Sequence, residues 1–447
     1  MHNGRLILME SLFMTAADAT LPIQPLTDRL KGYPLGASPC APADIGARGW
    51  NVLAGDLPLP LAVLRRSALE HNLAWMQDWA SRRGLWLAPH GKTTMSPQLF
   101  ALQLQAGAWG LTFATVAQVA IGVQAGARRI VIANQVLQAA DLDGLARLRA
   151  AHADLRVWFL VDSLAQLALI EQWAAQRGAR GLAAPVWDVL LEVGVAGRRT
   201  GCRSQDEALA LARALHASGA VWLAGIECYE GVAAHGDSAH DSAAVTDLVR
   251  RCLALAHACD AENLWDGDAT DPVLLSAGGS AVFDLVLPLL QARGLSRTVQ
   301  GVLRSGCYVT HDHGNYHRYL GLLQQRQGLA SSLQPALTVW AMVQSVPEPG
   351  LALLACGKRD LSYDLDLPVP VRRAAPGSLQ PQPAPAHWRI TALNDQHAYL
   401  HFDAAAPQVG ERVELGISHP CTTFDKWRWM PIVEDDGLVS AAVQTWF

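Results

Sequence analysis

Four short segments hold residue types whose spacing could carry chemistry. In APHGKTTMSPQLF, Lys92 follows a short apolar run and precedes Ser96 and Pro97, residue types that open a helix. A lysine desolvated at a strand end has a depressed pKa and can form a Schiff base with an aldehyde such as pyridoxal phosphate, although an arbitrary lysine is usually a solvated loop residue. In VLLSAGGSAVFD, Gly278, Gly279 and Ser280 sit between a strand-like run and a helix-like one. Backbone N–H groups of such a turn, with the serine hydroxyl, can cradle a phosphate; glycine there also serves mere tightness, so the turn alone is weak. In LRSGCYVTHDHGNY, Gly306, Cys307 and Tyr308 add the neighbouring corner, and the two corners together make a plausible phosphate cup. In ISHPCTTFDKW, His419 and Cys421 lie two residues apart. On an extended strand such a pair shares a face, so imidazole and thiolate could bind one metal, with zinc favoured by nitrogen and sulfur ligation. Two ligands do not make a site, and a His-x-Cys pair is more often two unrelated core residues.

These segments need a scaffold that brings strand ends together. From about residue 56, short runs rich in Val, Ile, Leu and Trp alternate with Ala-rich amphipathic stretches of helical length. The strand-like runs are Leu85–Ala88, Leu111–Ala114, Ile130–Ala133, Arg156–Val161, Trp187–Val193, Trp222–Tyr229, Val273–Ala277 and Thr298–Arg304. Helical stretches such as SLAQLALIEQWAAQRG and DEALALARALHASG end in Gly, where a helix C-cap is expected. Eight parallel strands with crossover helices close into a TIM (β/α)8 barrel, whose active site lies at the strands' C-terminal ends. Periodicity does not show closure, so a doubly wound open sheet is the alternative. Beyond about residue 316 the helical rhythm stops, and ALTVWAMVQSVP, HAYLHFD and ERVELGI read as antiparallel strands of a β-rich C-terminal domain. The expected division is an N-terminal extension over 1–55, a barrel over 56–315 and the β-rich domain over 316–447. Pro368–Pro385 reads as a surface loop, a linker or a cover for a neighbouring subunit.

Composition narrows the class. The 447 residues are 51 % hydrophobic and 17 % charged, which excludes a disordered chain. A net charge of -5 without any Lys/Arg block argues against nucleic-acid binding. The eight cysteines are dispersed with no CxxC pair, so a reducing cytoplasm is the expected compartment. Thr93–Ala127 carries no charge but is interrupted by five Gln and four Gly, and so reads as helix, strand, helix rather than a membrane span. The apolar run Arg5–Met14 is short, is broken by Glu10 and lacks a small-residue cleavage site, so no export signal is expected.

Taken in order, PHGKT, LEVGVAGRRTG, GIECYEG, SAGGS, RSGCYVTHD, NDQHAYL and HPC resemble the D-serine dehydratase and D-threonine aldolase group, the fold-type III pyridoxal phosphate enzymes related to alanine racemase. The resemblance runs from about Leu59 to the C-terminus. It implies that Lys92 is the Schiff-base lysine, and that Gly278, Gly279, Ser280, Gly306, Cys307 and Tyr308 surround the cofactor phosphate. It further implies that Arg199 faces the pyridine ring and that Tyr229 contacts the cofactor. His419 and Cys421 resemble the zinc ligands of the dehydratase branch, whereas the aldolase branch presents His-x-Asp to manganese or a similar ion. Where the family often reads RPHxKTHK, this chain has Ala88, Thr94 and Met95 in place of the Arg, second His and final Lys. The implied activity is dehydration of D-serine, or a similar 3-hydroxy D-amino acid, to the 2-oxo acid and ammonia. Lys92 would take the Cα proton while zinc assists departure of the β-hydroxyl. The alternatives are retro-aldol cleavage of a β-hydroxy D-amino acid to glycine and an aldehyde, a racemase, and a non-catalytic pyridoxal phosphate-binding protein. Related enzymes imply a homodimer.

Overall fold

The computed structural model describes residues 23–234 and 236–447; the apolar run Arg5–Met14 lies outside them. The chain divides into two compact units. The first joins the described residues up to Met76 with Thr93–Gln105 and Cys307–Phe447, and the second consists of Gln77–Lys92 and Ala106–Gly306.

The first strand among the described residues, β1 (Leu61–Arg65), belongs to the first unit. The second unit contains β2 (Trp86–Leu87), β3 (Leu111–Phe113), β4 (Arg129–Gln135), β5 (Arg156–Val161), β6 (Trp187–Val193), β7 (Val221–Cys228), β8 (Val273–Ala277) and β9 (Val299–Leu303). These are the eight runs read from the sequence. They form one parallel sheet in the order β2-β9-β8-β7-β6-β5-β4-β3. The sheet curls until its two edges meet: Trp109 N–H donates to Leu87 O at 2.8 Å, Thr112 N–H donates to Pro89 O at 2.9 Å, and His90 bridges Thr112 in parallel register. The fold is therefore a nearly closed TIM-type barrel, not an open doubly wound sheet.

Local sequence starts the crossover helices cleanly. Thr115 caps Val116–Gln124, Ser163 caps Leu164–Ala179, and Ser204 with Glu207 forms a capping box on Gln205–Ala217. The expected glycine stops differ in detail. Leu164–Ala179 runs through Gly178, and the left-handed residue is Gly181 (φ 69°); Gln205–Ala217 ends on Ser218 with an extended backbone. Inside the barrel, Ala88, Val131, Leu160, Leu190 and Val302 are 0–2 % exposed and form its central layer.

The first unit is built on a ten-stranded sheet. Besides β1 it contains β10 (Leu337–Glu348), β11 (Leu351–Leu354), β12 (Val369–Ala374), β13 (Gln382–Pro383), β14 (Arg389–Leu393), β15 (Ala398–His401), β16 (Arg412–Gly416), β17 (Trp429–Val433) and β18 (Val439–Gln444). β1 lies at its centre, antiparallel to β10 and parallel to β17, which explains why four consecutive residues, Leu61 to Leu64, are fully buried. Residues 23–55 also belong here: the turn of helix Pro42–Arg48 packs on β18, and Asn51 bridges Leu438. Pro368–Pro385 is not the loop expected from its prolines. Its β12 and β13 form an edge hairpin, Arg372 pairs with Glu414 of the adjoining β16, and Arg373 pairs with Glu411, the residue just before that strand. Proline is tolerated at a sheet edge because no ladder partner needs its missing N–H.

Candidate active site

The barrel's C-terminal strand ends gather a cationic group of side chains around His90. Lys92 lies in the turn Gly91–Thr93 directly after β2, and its side chain is exposed rather than desolvated. His90 is held well below the usual imidazole range, first by burial and then by the positive charges of Lys92, Arg304 and Arg199. Its Nδ1 is buried with no partner. Arg199 is exposed in the loop after β6 and stacks its guanidinium 5.1 Å from the centre of the Tyr229 ring.

Arg304, at the end of β9, is a site residue that the sequence reading did not single out. It is buried, pairs with buried Glu227, donates to Cys228 O at 3.1 Å, and keeps Nε without a partner. Burial, with Glu192 and Glu230 nearby, pushes the Glu227 carboxyl up to about 8 against the opposing effect of Arg304. The signal was present in the sequence as charged residues, Glu227 and Arg304, closing two strongly apolar strands.

The glycine turn after β8 already holds a carboxyl group. Gly278 N–H donates to Glu230 Oε2 at 3.0 Å and Gly279 N–H donates to Glu230 Oε1 at 2.6 Å. Gly278 has φ 115°, a conformation open to glycine. A Cβ on Gly279 would lie 2.9 Å from Tyr229 Cε2, and one on Gly306 would lie 2.4 Å from His90 O. No helix begins at Ser280: the chain continues through turns to the short helix Leu287–Leu290, so the donors belong to a turn rather than to a helix N-terminus. Lysine, an oxyanion-binding turn and surrounding cations fit a phosphate-bearing aldehyde cofactor.

Cys307 and Tyr308 belong to the first unit, and their side chains have other partners. Tyr308 is buried with its hydroxyl hydrogen-bonded to Gln103. Cys307 Sγ lies 3.7 Å from Cys421 Sγ and 3.6 Å from Thr93 Oγ1, and Cys421 Sγ lies 3.4 Å from the same hydroxyl. The expected strand at His419 and Cys421 is replaced by a helix start. His419 is the extended N-cap residue, and Pro420 begins the helix Pro420–Phe424, as its fixed φ favours. His419 Nδ1 is 2.6 Å from Asp364 Oδ2, and Thr422 Oγ1 donates to Asp364 Oδ1 at 2.6 Å. This carboxylate fixes the imidazole tautomer and leaves Nε2 as the remaining donor atom, an arrangement common behind metal-binding histidines. Among the described residues no group of three His, Cys, Asp or Glu side chains is assembled as a metal cage. The donor chemistry of His419 and Cys421 still fits a divalent metal of the zinc type. No helix among the described residues is long and apolar enough to cross a membrane.

Comparison with known proteins gives these features a family. The alanine racemase N-terminal domain model matches residues 64–282, and the serine dehydratase domain model matches residues 336–433. A D-threonine aldolase of Arthrobacter sp. is 29 % identical over 382 residues, covering 85 % of this chain and 90 % of the relative. A D-threo-3-hydroxyaspartate dehydratase of Delftia sp. strain HT23 is 27 % identical over 405 residues, covering 87 % of this chain and 97 % of the relative. The crystal structure of a D-threonine aldolase from Filomicrobium marinum superposes with a TM-score of 0.72 at 24 % identity, covering 89 % of this chain and 97 % of the other. The chain belongs to the fold-type III pyridoxal phosphate enzymes, with an alanine racemase-like barrel and a serine dehydratase-type β-rich region, among relatives that are lyases.

Proposed function

We propose that the protein is a pyridoxal phosphate- and zinc-dependent D-serine dehydratase, releasing a 2-oxo acid and ammonia from D-serine or a related 3-hydroxy D-amino acid. The observation that carries this reading is the His419–Asp364 pair beside Cys421, an oriented nitrogen donor and a thiol of the kind that holds zinc. In this reading Lys92 anchors the cofactor, Gly278, Gly279, Ser280 and Gly306 receive its phosphate, and Arg199 and Tyr229 flank its ring. For Cys307 and Tyr308, whose side chains bond elsewhere, only backbone N–H groups remain for that role. His419 and Cys421 hold the metal.

When bound, the cofactor supplies an electron sink for a carbanion at Cα, and the metal supplies Lewis acidity at the β-hydroxyl. Lys92 moves the proton at Cα, and its position directly after β2 gives the long side chain freedom to do so. Neutral His90 beside it avoids adding another charge to Lys92 and Arg304. The cationic groups around His90 orient an anionic substrate carboxylate and the phosphate.

A second reading is retro-aldol cleavage, favoured by the 29 % identity to the D-threonine aldolase and by a 3-hydroxy-D-aspartate aldolase of Paracoccus denitrificans, 25 % identical over 375 residues. We further infer a homodimer in a reducing cytoplasm, supported by dispersed cysteines without a CxxC pair and by the resemblance. The test is to incubate the protein, loaded with pyridoxal phosphate and zinc, with D-serine and D-threonine separately. Pyruvate and ammonia from D-serine, lost in Lys92→Ala and on chelation, are the expected result. Glycine and acetaldehyde from D-threonine without pyruvate from D-serine would replace the dehydratase reading by the aldolase one.

A further inference from the structure

A cavity of about 320 Å³ lies within the barrel unit, at the end opposite Lys92. Its walls include Trp86, Trp109, Trp158, Arg129, Arg156 and Arg297, contributed where the strands begin. The alternation of a strand places residues two apart on one face, so the barrel interior can be read in layers. Trp86, Arg129, Trp158 and Asp188 line the cavity; two residues on, Ala88, Val131, Leu160 and Leu190 form the buried central layer. Two further on, His90 and Glu192 reach the C-terminal end. The apolar layer therefore separates the cavity from the candidate active site, and nothing in the proposed reaction uses it.

The cavity is lined by aromatic faces, and its three arginines are matched in number by three aspartates, Asp188, Asp266 and Asp271. Trp86 and Trp109 stack at 4.7 Å with planes 15° apart, and Trp109 meets Trp158 at 5.2 Å. The carboxylates in the wall are already satisfied. Asp271 and Asp188 each accept from Arg156, at 3.0 and 3.3 Å, while Asp266 is engaged by His216 Nδ1 at 2.8 Å and by Leu223 N–H at 3.0 Å. The guanidinium groups are not all satisfied. Arg129 lies 5.9 Å from the Trp109 ring centre and pairs with no carboxylate among the described residues, whereas Arg297 gives both terminal nitrogens to the backbone carbonyls of Asp266, Asp268 and Asp271 and keeps only its buried Nε without a partner. Arg129 is exposed, so a ligand can enter from the N-terminal face without crossing the apolar layer.

We propose that this cavity is a second binding site, for a small planar aromatic carboxylate. Ligand pockets are typically apolar and aromatic with a few placed polar groups, in cavities from about 300 Å³ upward. A dry cavity of about 150 Å³ accommodates benzene, so this one has room for a fused two-ring body and its carboxylate. The ring would stack on indole, and the carboxylate would take the donors of the Arg129 guanidinium.

The test is calorimetric titration of the cofactor-loaded protein with indoleacetate, beside tryptophol and tryptamine as neutral and cationic isosteres. Indoleacetate is expected to bind at one site per chain, at least tenfold more tightly than either isostere. Arg129→Ala should weaken it about tenfold, and Ala224→Leu, which places a larger side chain in the cavity wall, should abolish binding while leaving the cofactor absorbance intact. Lys92→Ala should bind the probe as the parent does. No saturable binding, equal affinity for the three probes, or an unchanged affinity in Arg129→Ala would overturn the proposal. Loss of binding in Lys92→Ala would move the probe to the other end of the barrel and overturn it equally.

Discussion

Glu230 holds Gly279 N–H at 2.6 Å, so a carboxylate from this chain's own β7 exit occupies the turn that has the geometry to receive a phosphate. Glu230 is fully buried. Burial raises its pKa, and the N–H bonds from Gly279 and Gly278 pull against that rise by favouring the ionised form. The turn is thus an oxyanion receptor already filled from within, and the incoming phosphate must compete with it.

Glu230→Gln removes the competing charge while keeping an oxygen that can accept one N–H. Titration of cofactor-free protein with pyridoxal phosphate, followed by absorbance, should show about tenfold tighter binding, corresponding to about 1.4 kcal/mol. Pyridoxal, which lacks the phosphate, should gain nothing. An unchanged affinity for pyridoxal phosphate would place the phosphate elsewhere.

The buried pair Arg304–Glu227 makes the second prediction. Their side chains are 4 % and 1 % exposed, so Arg304→Ala leaves the Glu227 carboxyl buried in the barrel without its guanidinium partner. Loss of one partner of such a pair costs about 3–5 kcal/mol of stability, whereas replacing both partners is far milder. Denaturant unfolding should show Arg304→Ala strongly destabilised and Arg304→Met/Glu227→Gln recovering most of that loss. Equal destabilisation of the two proteins would mean that the guanidinium matters for packing rather than for charge.

Both kinds of residue show what the chain discloses before folding. The eight barrel strands are legible because each is a short apolar run buried on both faces, and the turns between them carry Ser, Thr and Gly punctuation. The run Leu61–Arg65 has the same character, yet it pairs with β10 and β17, since periodicity identifies a strand without identifying its neighbours. Lys92 and the glycine turn stand out by type and position. Arg304 and Glu230 do not, because their significance lies in partners 77 and 49 residues away. At His419 the reading as a strand overlooked Pro420, which favours the first position of a helix.

Acid should expose the buried histidines. His311 is held down to about 3 and His313 to about 4, each chiefly by burial. A folded-state pKa below the unfolded value near 6.5 means that the unfolded chain takes up the proton first. The stability each contributes is therefore complete above about pH 6.5 and is lost as pH falls toward the folded value. Asp312 acts in the opposite sense: burial raises it to about 7, so its contribution is full at low pH and fades as pH rises through 7. A single variant isolates the histidine. His311 has φ 47°, and Asn tolerates that left-handed backbone. Relative to the parent, His311→Asn should gain about 1.4 kcal/mol between pH 7.5 and 5.5, measured by denaturant unfolding at each pH. A constant difference across that range would mean that His311 titrates normally in the fold.

The pair His419–Asp364 makes the last prediction, one that separates metal binding from mere packing. Asp364 accepts from His419 and from Thr422 at 2.6 Å each, so it sets the direction in which the imidazole presents its other nitrogen. Asp364→Asn is nearly the same size but loses the charge that supports the ring as a donor. Partners of this type change metal affinity by about 10–100-fold. Competition with a chelating dye should show zinc held that much more weakly in Asp364→Asn, and Cys421→Ser should weaken it further, with both proteins unfolding at nearly the parent temperature. The separation matters because a structural His–Asp pair would behave in reverse: Asp364→Asn would lower the unfolding temperature and leave the zinc affinity where it was. In that case the thiols at Cys307 and Cys421 would have to bind the metal without an oriented imidazole.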